Sequence, residues 1–167
     1  SLTKALNGID IAYYLVHSLA RKKDFSDAET TSAKHFIQAA KVNNVKKIVY
    51  AASASCYGIT KKFPTKETDK IDMAYPYAFS KYSGELAVIH WSKVYGIKYI
   101  SLRLFNVYGL RSRTTGAYGA VMGVFLKQKL SNKPFTVVGD GKQLRDFVNV
   151  KDVAEAFIKA GFSKVKN

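Results

Sequence analysis

Short apolar runs alternate with longer segments of helical periodicity, and this alternation limits the fold more than any other feature of the sequence. Residues 47–53 are typical of a buried strand, and residues 26–44 and 76–96 on either side space their apolar positions as helices do. Parallel strands need connections of about a dozen residues or more, which these helical segments supply. The pattern therefore predicts an α/β fold with a largely parallel sheet and flanking helices.

Start and stop signals along the chain give the predicted elements. Helices are predicted over residues 2–7, 26–44, 76–96, 118–130 and 151–162, and strands over residues 9–16, 47–53, 99–105, 135–138 and 146–148. Two long connections, residues 54–75 and 106–117, follow predicted strands. Ligands bind beyond the carboxyl ends of parallel strands, so we expect the chemistry in these two connections.

The composition favours one soluble unit that has neither a disulfide nor a metal site. Of the 167 residues, 47% are hydrophobic and 13% aromatic, a balance that supports a packed core. The single cysteine, Cys56, excludes an internal disulfide, and no Cys/His cluster has the spacing of a zinc site. The apolar runs are too short to span a membrane, and the first residues lack a secretion signal. We expect a cytoplasmic protein with no membrane partner.

The formal net charge of +15 is the unusual global property of this sequence. Lysine and arginine neutralise phosphates, so such a charge raises the hypothesis of a nucleic-acid binder. The basic residues, however, are scattered in short groups such as residues 21–23 and 46–47, without interleaved aromatic residues or a recognition helix. We interpret the charge as a solvated, lysine-rich surface that attracts an anionic ligand, and we expect no nucleic-acid partner.

Tyr77 and Lys81 form the strongest chemical signal in the sequence. A spacing of four residues puts the phenol and the ammonium on one face of a helix, about one turn apart. A tyrosine with its ordinary pKa of about 10 is a poor base at neutral pH, and a neighbouring cation shifts it toward the phenolate. Because such pairs also occur on surface helices, the surrounding segments decide the interpretation.

Four segments, in this order, resemble motifs of one enzyme family. They are YAASASCYG at residues 50–58, YAFSK at residues 77–81, LRLFNVYG at residues 102–109 and VGDGKQLRDF at residues 138–147. Together they are similar to the extended short-chain dehydrogenase/reductase family, specifically its nucleotide-sugar epimerases of the UDP-glucose 4-epimerase type. The resemblance covers about residues 45–160 and implies a Rossmann-like sheet.

The resemblance implies a role for each residue that matches a family motif. The catalytic residues would be Ser53, with Ser55 as the alternative hydroxyl, Tyr77 as the base and Lys81 as its cation. The cofactor-binding residues would be Leu15, Val16, Tyr77, Lys81 and Phe105. The substrate-binding residues would be Asn106, Ala120, Val121 and Arg145. Structural explanations compete with these roles, because Ser53 also suits a strand end, Asn106 a turn and Arg145 a surface ion pair.

The resemblance also implies the cofactor, the substrate and the reaction. NAD would take a hydride from a nucleotide sugar and return it to the opposite face of the keto-sugar. Family dehydratases carry an Asp-Glu pair where this chain has Ala54 and Ser55, so epimerisation is favoured. A dehydratase or reductase remains an alternative, as does a non-catalytic fragment that binds sugar nucleotides.

Family members commonly dimerise through two helices, one of which carries the Tyr77 and Lys81 motif. The resemblance therefore implies that the parent is a homodimer, in which Ala87, Trp91 and Tyr95 could be interface rather than core.

The first 44 residues depart from the family pattern. No glycine-rich GxxGxxG turn precedes the first strand, and residues 12–18 look more like atypical, reductase-like members of the superfamily. His17 within that stretch is a poor candidate for a base. We therefore expect an inactive or nearly inactive fragment that joins two relatives near Val45. Residues 1–117 would form a partial dinucleotide-binding domain and residues 118–167 a partial substrate-binding region.

Overall fold

The computed structural model describes residues 1–16, 25–60, 63–112, 114 and 121–165, with only the backbone described for residues 25 and 26. The α-helices are α1 (Leu2–Ala5), α2 (Phe25–Val42), α3 (Pro76–Tyr95), α4 (Val121–Leu130) and α5 (Val150–Phe162). The strands are β1 (Ile11–Tyr14), β2 (Lys47–Ser53), β3 (Lys98–Leu104), β4 (Asn106–Tyr108) and β5 (Phe147–Asn149), and a 3₁₀ turn (Ala54–Tyr57) follows β2. These elements form two compact units, Ser1–Leu104 with Phe157–Asn167, and Phe105–Ala156.

The first unit contains a parallel three-stranded sheet in the order β1-β2-β3. Tyr14 pairs with Tyr50, and Ser53 pairs with Leu104, so the carboxyl ends of the three strands lie at one edge. Helices α2 and α3 connect the strands and pack against each other. The prediction of an α/β fold with a parallel sheet and flanking helices is therefore confirmed in this unit.

Local sequence explains where the connecting helices begin and end. Pro76 occupies the first turn of α3, where its missing N–H costs nothing, and Gly96 ends the helix with a left-handed φ of 68°. Asn44 follows α2 with a φ of 56°, a conformation that asparagine tolerates better than most residues. The helix over residues 76–96 and the strand over residues 47–53 were predicted from these signals and are confirmed.

The hydrophobic core lies between the sheet and the pair α2 and α3. Successive residues of a strand point to opposite faces, and Tyr14 faces α2, where its ring stacks on Phe36 and on Tyr50 at centroid distances of 4.7 Å and 5.5 Å. Ala87 of α3 is buried in this core, and half-buried Trp91 and Tyr95 pack against it. These three residues therefore contact the core of their own chain, while the homodimer remains a prediction.

The opposite face of the sheet is covered by the end of α5. Tyr13, the neighbour of Tyr14 in β1, makes an edge contact with Phe157 at a centroid distance of 6.3 Å. Buried Lys47, at the start of β2, donates hydrogen bonds to the backbone oxygens of Ala160 at 3.3 Å and Ser163 at 2.5 Å. A lysine at a helix C-terminus satisfies carbonyls that have no partner within the helix. Lys47 thus fixes the C-terminal segment to the sheet.

The second unit contains a parallel pair of short strands, β4 and β5. Asn106 pairs with Phe147, and Tyr108 pairs with Asn149. Phe135 stacks on Phe125 of α4 at a centroid distance of 4.9 Å. Among the residues described in both units, no helix is long and apolar enough to cross a membrane.

Several predicted boundaries differ from the structure, most of them in the second unit. The strand predicted over residues 135–138 is wrong, because the Thr136 N–H donates to the side chain of Gln128 and the segment lies exposed. The residues of strand β4 were predicted to be part of the connection over residues 106–117, because three residues beginning with asparagine give little strand signal. The predicted division into residues 1–117 and 118–167 remains a prediction. The roles assigned to the two predicted domains remain predictions.

Replacing Lys47 tests how the C-terminal segment is held. Lys47→Met retains the apolar stem and leaves the carbonyls of Ala160 and Ser163 without their donor. We expect the free energy of unfolding in urea to fall by about 2 kcal/mol. Lys46→Met is the matched control, because the exposed Lys46–Asp10 ion pair should contribute less than about 0.5 kcal/mol. Equal losses in the two variants would contradict this role of Lys47.

Candidate active site

Ser53 ends β2 at the carboxyl edge of the sheet, where the strand passes into the 3₁₀ turn. Its hydroxyl oxygen accepts a hydrogen bond from the Ser55 N–H at 3.2 Å and so caps the turn. The Ser53 proton therefore remains able to donate to a ligand oxygen. The Ser55 hydroxyl is buried and has no hydrogen-bond partner among the described residues, so it is a second donor at the same strand end.

Tyr77 and Lys81 lie in the first two turns of α3, which packs against β2 and against the 3₁₀ turn. Tyr77 is half-buried, whereas Lys81 is buried. Lys81 is level with the middle of β2, because its backbone oxygen lies 3.3 Å from the Tyr50 hydroxyl. The structure thus brings α3, which carries Tyr77 and Lys81, against the strand that ends in Ser53.

The ammonium of Lys81 is enclosed by side chains from two other elements. Its Nζ lies 3.6 Å from Oε1 of Glu29 in α2, and both side chains are almost completely buried. The same Nζ lies 4.8 Å from the centroid of the Tyr50 ring, which contributes a cation–π interaction. The Tyr50 hydroxyl in turn lies 3.3 Å from Glu29 Oε1. The Lys81 ammonium is therefore held between a carboxylate and an aromatic ring and is not a mobile surface lysine.

Burial sets the protonation behaviour of this cluster. Desolvation lowers the pKa of Lys81 below its ordinary value, and the negative charges of Glu29 and Glu85 oppose that shift. Burial, followed by the charge of Glu29, raises the pKa of Tyr50 far above its usual value. Tyr50 is consequently a neutral phenol at physiological pH and is not a candidate base.

Arg103 of β3 links α3 to the long connection that precedes it. Its Nε lies 3.1 Å from both carboxylate oxygens of buried Glu85, and its Nη1 donates to the Tyr57 hydroxyl at 2.7 Å and to the Glu67 backbone oxygen at 3.3 Å. Burial alone would lower the pKa of Arg103, but its bonds to Glu85 and Tyr57 raise it above the ordinary value. The guanidinium therefore remains charged and holds the turn, the connection and the helix together.

Gly58 is a second fixed point of that connection. It has a φ of 63°, and a Cβ at this position would lie 2.5 Å from the Asp72 backbone oxygen. The Asp72 N–H donates to the Cys56 backbone oxygen at 2.9 Å. The chain therefore returns to the end of β2 just before Pro76, which sets where the helix bearing Tyr77 starts. Burial raises the pKa of the Cys56 thiol, so this cysteine is not an activated nucleophile.

Leu15 and Val16 follow β1 at the edge of the sheet that also carries Ser53. Both side chains are more than half exposed, an unusual state for large apolar residues next to a sheet. Their role as cofactor-binding residues remains a prediction. His17 lies outside the described residues.

The candidate substrate residues lie in the second unit. The Asn106 side chain donates to the Asp146 backbone oxygen at 2.9 Å, which brings Asn106 close to the segment that carries Arg145. The exposed Arg145 guanidinium donates to the backbone oxygen of its neighbour Leu144. Val121 is partly exposed, as is Phe105, which was predicted to bind the cofactor, and Ala120 lies outside the described residues. Arg145 thus has the surface position that either a ligand contact or a solvated arginine would have.

Comparison of the sequence with family profiles assigns the chain to a known family. The profile of the NAD dependent epimerase/dehydratase family matches residues 4–164, nearly the whole chain. The chain belongs to this family.

Relatives of known name agree with the family assignment. A putative UDP-glucose 4-epimerase of Methanocaldococcus jannaschii is 41% identical over 118 residues, which cover 70% of this chain and 38% of the relative. The structure of a UDP-N-acetylglucosamine 4-epimerase from Methanobrevibacter ruminantium, in complex with UDP-N-acetylmuramic acid, matches with a TM-score of 0.91 at 31% identity, over 99% of this chain and 56% of that one.

A third relative was solved with both a substrate and NAD. The UDP-glucuronic acid 4-epimerase of Bacillus cereus, in complex with UDP-glucuronic acid and NAD, matches with a TM-score of 0.85 at 29% identity, over 99% of this chain and 54% of that one. The fold is therefore that of the Rossmann-like epimerases, as predicted. The chain spans about half the length of the solved relatives that it matches, and less of the first curated one.

Two charged residues that hold this region together, Glu29 and Arg103, were not predicted from the sequence. No chemical role was predicted for Glu29, whose partners Lys81 and Tyr50 are distant from it in sequence. Arg103 was noted within its motif and given no role. A candidate metal site is absent from the described residues, where no group of three or more His, Cys, Asp or Glu side chains is suitably arranged.

Replacing Arg103 tests whether its network holds the site together. Arg103→Met leaves the buried Glu85 carboxylate without its counter-charge, so we expect the free energy of unfolding to fall by about 3 kcal/mol. Arg103→Lys keeps the charge but not the two-pronged geometry, and it should lose roughly half as much. Urea unfolding measures both variants. Losses below about 0.5 kcal/mol in both would show that the network contributes nothing measurable.

Proposed function

We propose that this chain carries the Ser-Tyr-Lys side of an NAD-dependent UDP-hexose 4-epimerase site, which works by hydride transfer through a keto-sugar. One observation carries the proposal: a buried lysine, Lys81, lies one helical turn after Tyr77 and against the strand that ends in Ser53. The family profile over residues 4–164 supports it, and all three reported relatives have 4-epimerase in their names.

Tyr77 is proposed as the general base. Lys81 supplies a positive charge close to the Tyr77 phenol, which favours the phenolate and lets it take the proton of a sugar hydroxyl. Ser53 donates its hydroxyl proton to the same sugar oxygen, since its own oxygen is already occupied by the Ser55 N–H. These three groups would hold the sugar carbon at which configuration is inverted.

The residues present fit one part of the cofactor. Leu15 and Val16 offer exposed apolar surface at the ligand-binding edge of the sheet, which suits the face of a nicotinamide ring. When bound, NAD would accept a hydride from the sugar carbon and give it back. The glycine-rich turn that binds a pyrophosphate has no counterpart before β1, so we expect the 167-residue chain alone to turn over little or no substrate.

The substrate is proposed to be a UDP-hexose. The three reported relatives share UDP in their names, and their sugars are glucose, N-acetylglucosamine and glucuronic acid. Asn106 and Arg145 are proposed to bind the nucleotide, with Ala120 and Val121 beside them, whereas Phe105 is proposed to bind the cofactor. Ala54 and Ser55 follow Ser53 where a dehydratase would have carboxylates, so epimerisation is favoured over elimination of water. The enzyme is further proposed to be a cytoplasmic homodimer.

Substituting Tyr77 tests the base directly. In the enzyme that carries these residues, Tyr77→Phe should lower turnover of the UDP-hexose by at least about 100-fold, because the general base is lost. Affinity for the UDP-hexose, measured by titration calorimetry, should change less than about twofold, since a phenyl ring fills the same space. Tyr95→Phe, at the far end of the same helix, is the control and should leave both quantities unchanged.

The same titration on the 167-residue chain separates the competing functions. Binding of UDP-glucose or UDP-glucuronic acid supports the sugar-nucleotide site, and binding of NAD in addition supports the cofactor edge. Binding of UDP-sugar in the absence of NAD binding would favour a non-catalytic module. Salt-sensitive binding of DNA or RNA, with no affinity for a UDP-sugar, would contradict the proposal.

A further inference from the structure

Glu29 is a buried carboxylate that the proposed reaction does not use. It lies in the second turn of α2, and its side chain is only 2% exposed. Charged side chains are seldom buried this completely unless they are paired, because removing a charge from water is expensive. The burial of the Glu29 carboxylate between Lys81 and Tyr50 therefore indicates a role other than supporting the helix.

The pairing of Glu29 with Lys81 supplies that explanation. An ammonium that is 6% exposed is destabilised by the loss of water, and a negative charge within 4 Å favours its protonated form. Glu85 is the other acid that acts on Lys81 among the described residues, but both of its oxygens lie at hydrogen-bond distance from Arg103. The charge of Glu85 is therefore already balanced, which leaves Glu29 as the main counter-ion of Lys81.

The geometry around Glu29 also fixes where Lys81 lies. Tyr50 lies within 3.3 Å of Glu29 Oε1, and the face of its ring lies against the Lys81 ammonium. Gly84 of α3 leaves the space that these groups need, since a Cβ there would lie 2.5 Å from the Tyr50 hydroxyl and 2.9 Å from Glu29 Cγ. Lys81 is thus confined between a carboxylate from α2 and an aromatic ring from β2.

We propose that Glu29 is a positioning residue of the active site, which keeps the ammonium of Lys81 charged and fixed one turn from Tyr77. The proposal rests on the proposed function, in which Lys81 provides the cation for the base. It assigns part of the chemistry to α2, a helix that carries none of the family motifs recognised in the sequence. The activation of Tyr77 would then depend on an acid about fifty residues earlier in the chain.

The titratable groups that face Lys81 come from four elements. They are Glu29 of α2, Tyr50 of β2, Tyr14 of β1 behind Tyr50, and Glu85 of α3 itself. Burial raises the pKa of Tyr14 and of Tyr50, so both stay neutral while Lys81 titrates. Changes in the Lys81 pKa on substitution of Glu29 therefore report the loss of the Glu29 charge.

The test measures the pKa of Lys81 by NMR of the 167-residue chain with ¹³C-labelled lysine, where Lys81→Met assigns the resonance. Glu29→Gln should lower the Lys81 pKa by about one to two units, a 10- to 100-fold weaker binding of the proton. Glu29→Asp keeps the charge one methylene further away and should give a smaller decrease. Asp27→Asn removes an exposed acid from the same helix and is the control, with a change below about 0.3 units.

The order wild type, then Glu29→Asp, then Glu29→Gln, from highest to lowest Lys81 pKa, supports the proposal. A Lys81 pKa that is unchanged in Glu29→Gln overturns it, and if that variant does not fold, an unchanged pKa in Glu29→Asp overturns it instead. Failure of the proposed function is distinguishable from this result. A wild-type chain that binds no UDP-sugar contradicts the function, whereas an unchanged Lys81 pKa in a chain that binds UDP-sugar contradicts the role of Glu29 alone.

Discussion

A buried ammonium, that of Lys81, is the constraint on which the rest of this site depends. A lysine buried to this degree is tolerable only when an opposite charge and an aromatic ring replace the water it has lost, and Glu29 and Tyr50 provide them. These partners come from α2 and β2, so the position of Lys81 on α3 is defined only when all three elements are packed. The contacts of Lys81 with Glu29 and Tyr50 therefore connect three elements of the fold and also hold the cation proposed to act on Tyr77.

A second ion pair, between Arg103 and Glu85, stabilises the connection between β2 and α3. Arg103 of β3 holds Glu85 of α3, the Tyr57 hydroxyl and the backbone at Glu67. Together the two ion pairs connect α3 to the neighbouring helix α2 and to the sheet, and α3 carries half-buried Tyr77 on its first turn. Ser53, at the end of β2, accepts a hydrogen bond from the Ser55 N–H, which orients its hydroxyl. Rigid elements thus support each of the three proposed catalytic groups.

The elements that can be predicted from the sequence are those with a periodic apolar pattern or a recognisable motif. The strand over residues 47–53 and the helix that starts at Pro76 have continuous apolar patterns and clear end signals, and both were predicted correctly. Strand β4 has only three residues, so its signal is weak. Residues 135–138 suggested a strand that the structure does not have, and there the Thr136 N–H donates to the Gln128 side chain instead of to a neighbouring strand. Glu29 and Arg103 were missed because their importance arises from partners distant in sequence, and a single sequence does not record which charges meet.

The most direct test of the central interaction is a double-mutant cycle between Glu29 and Lys81. The free energy of unfolding in urea at pH 7 is measured for the wild type, Glu29→Gln, Lys81→Met and the double variant. If the two charges support each other in the core, each single variant leaves a buried charge unpaired, and the double variant is less destabilised than the sum by about 1–3 kcal/mol. Losses that add to within about 0.5 kcal/mol would contradict the account.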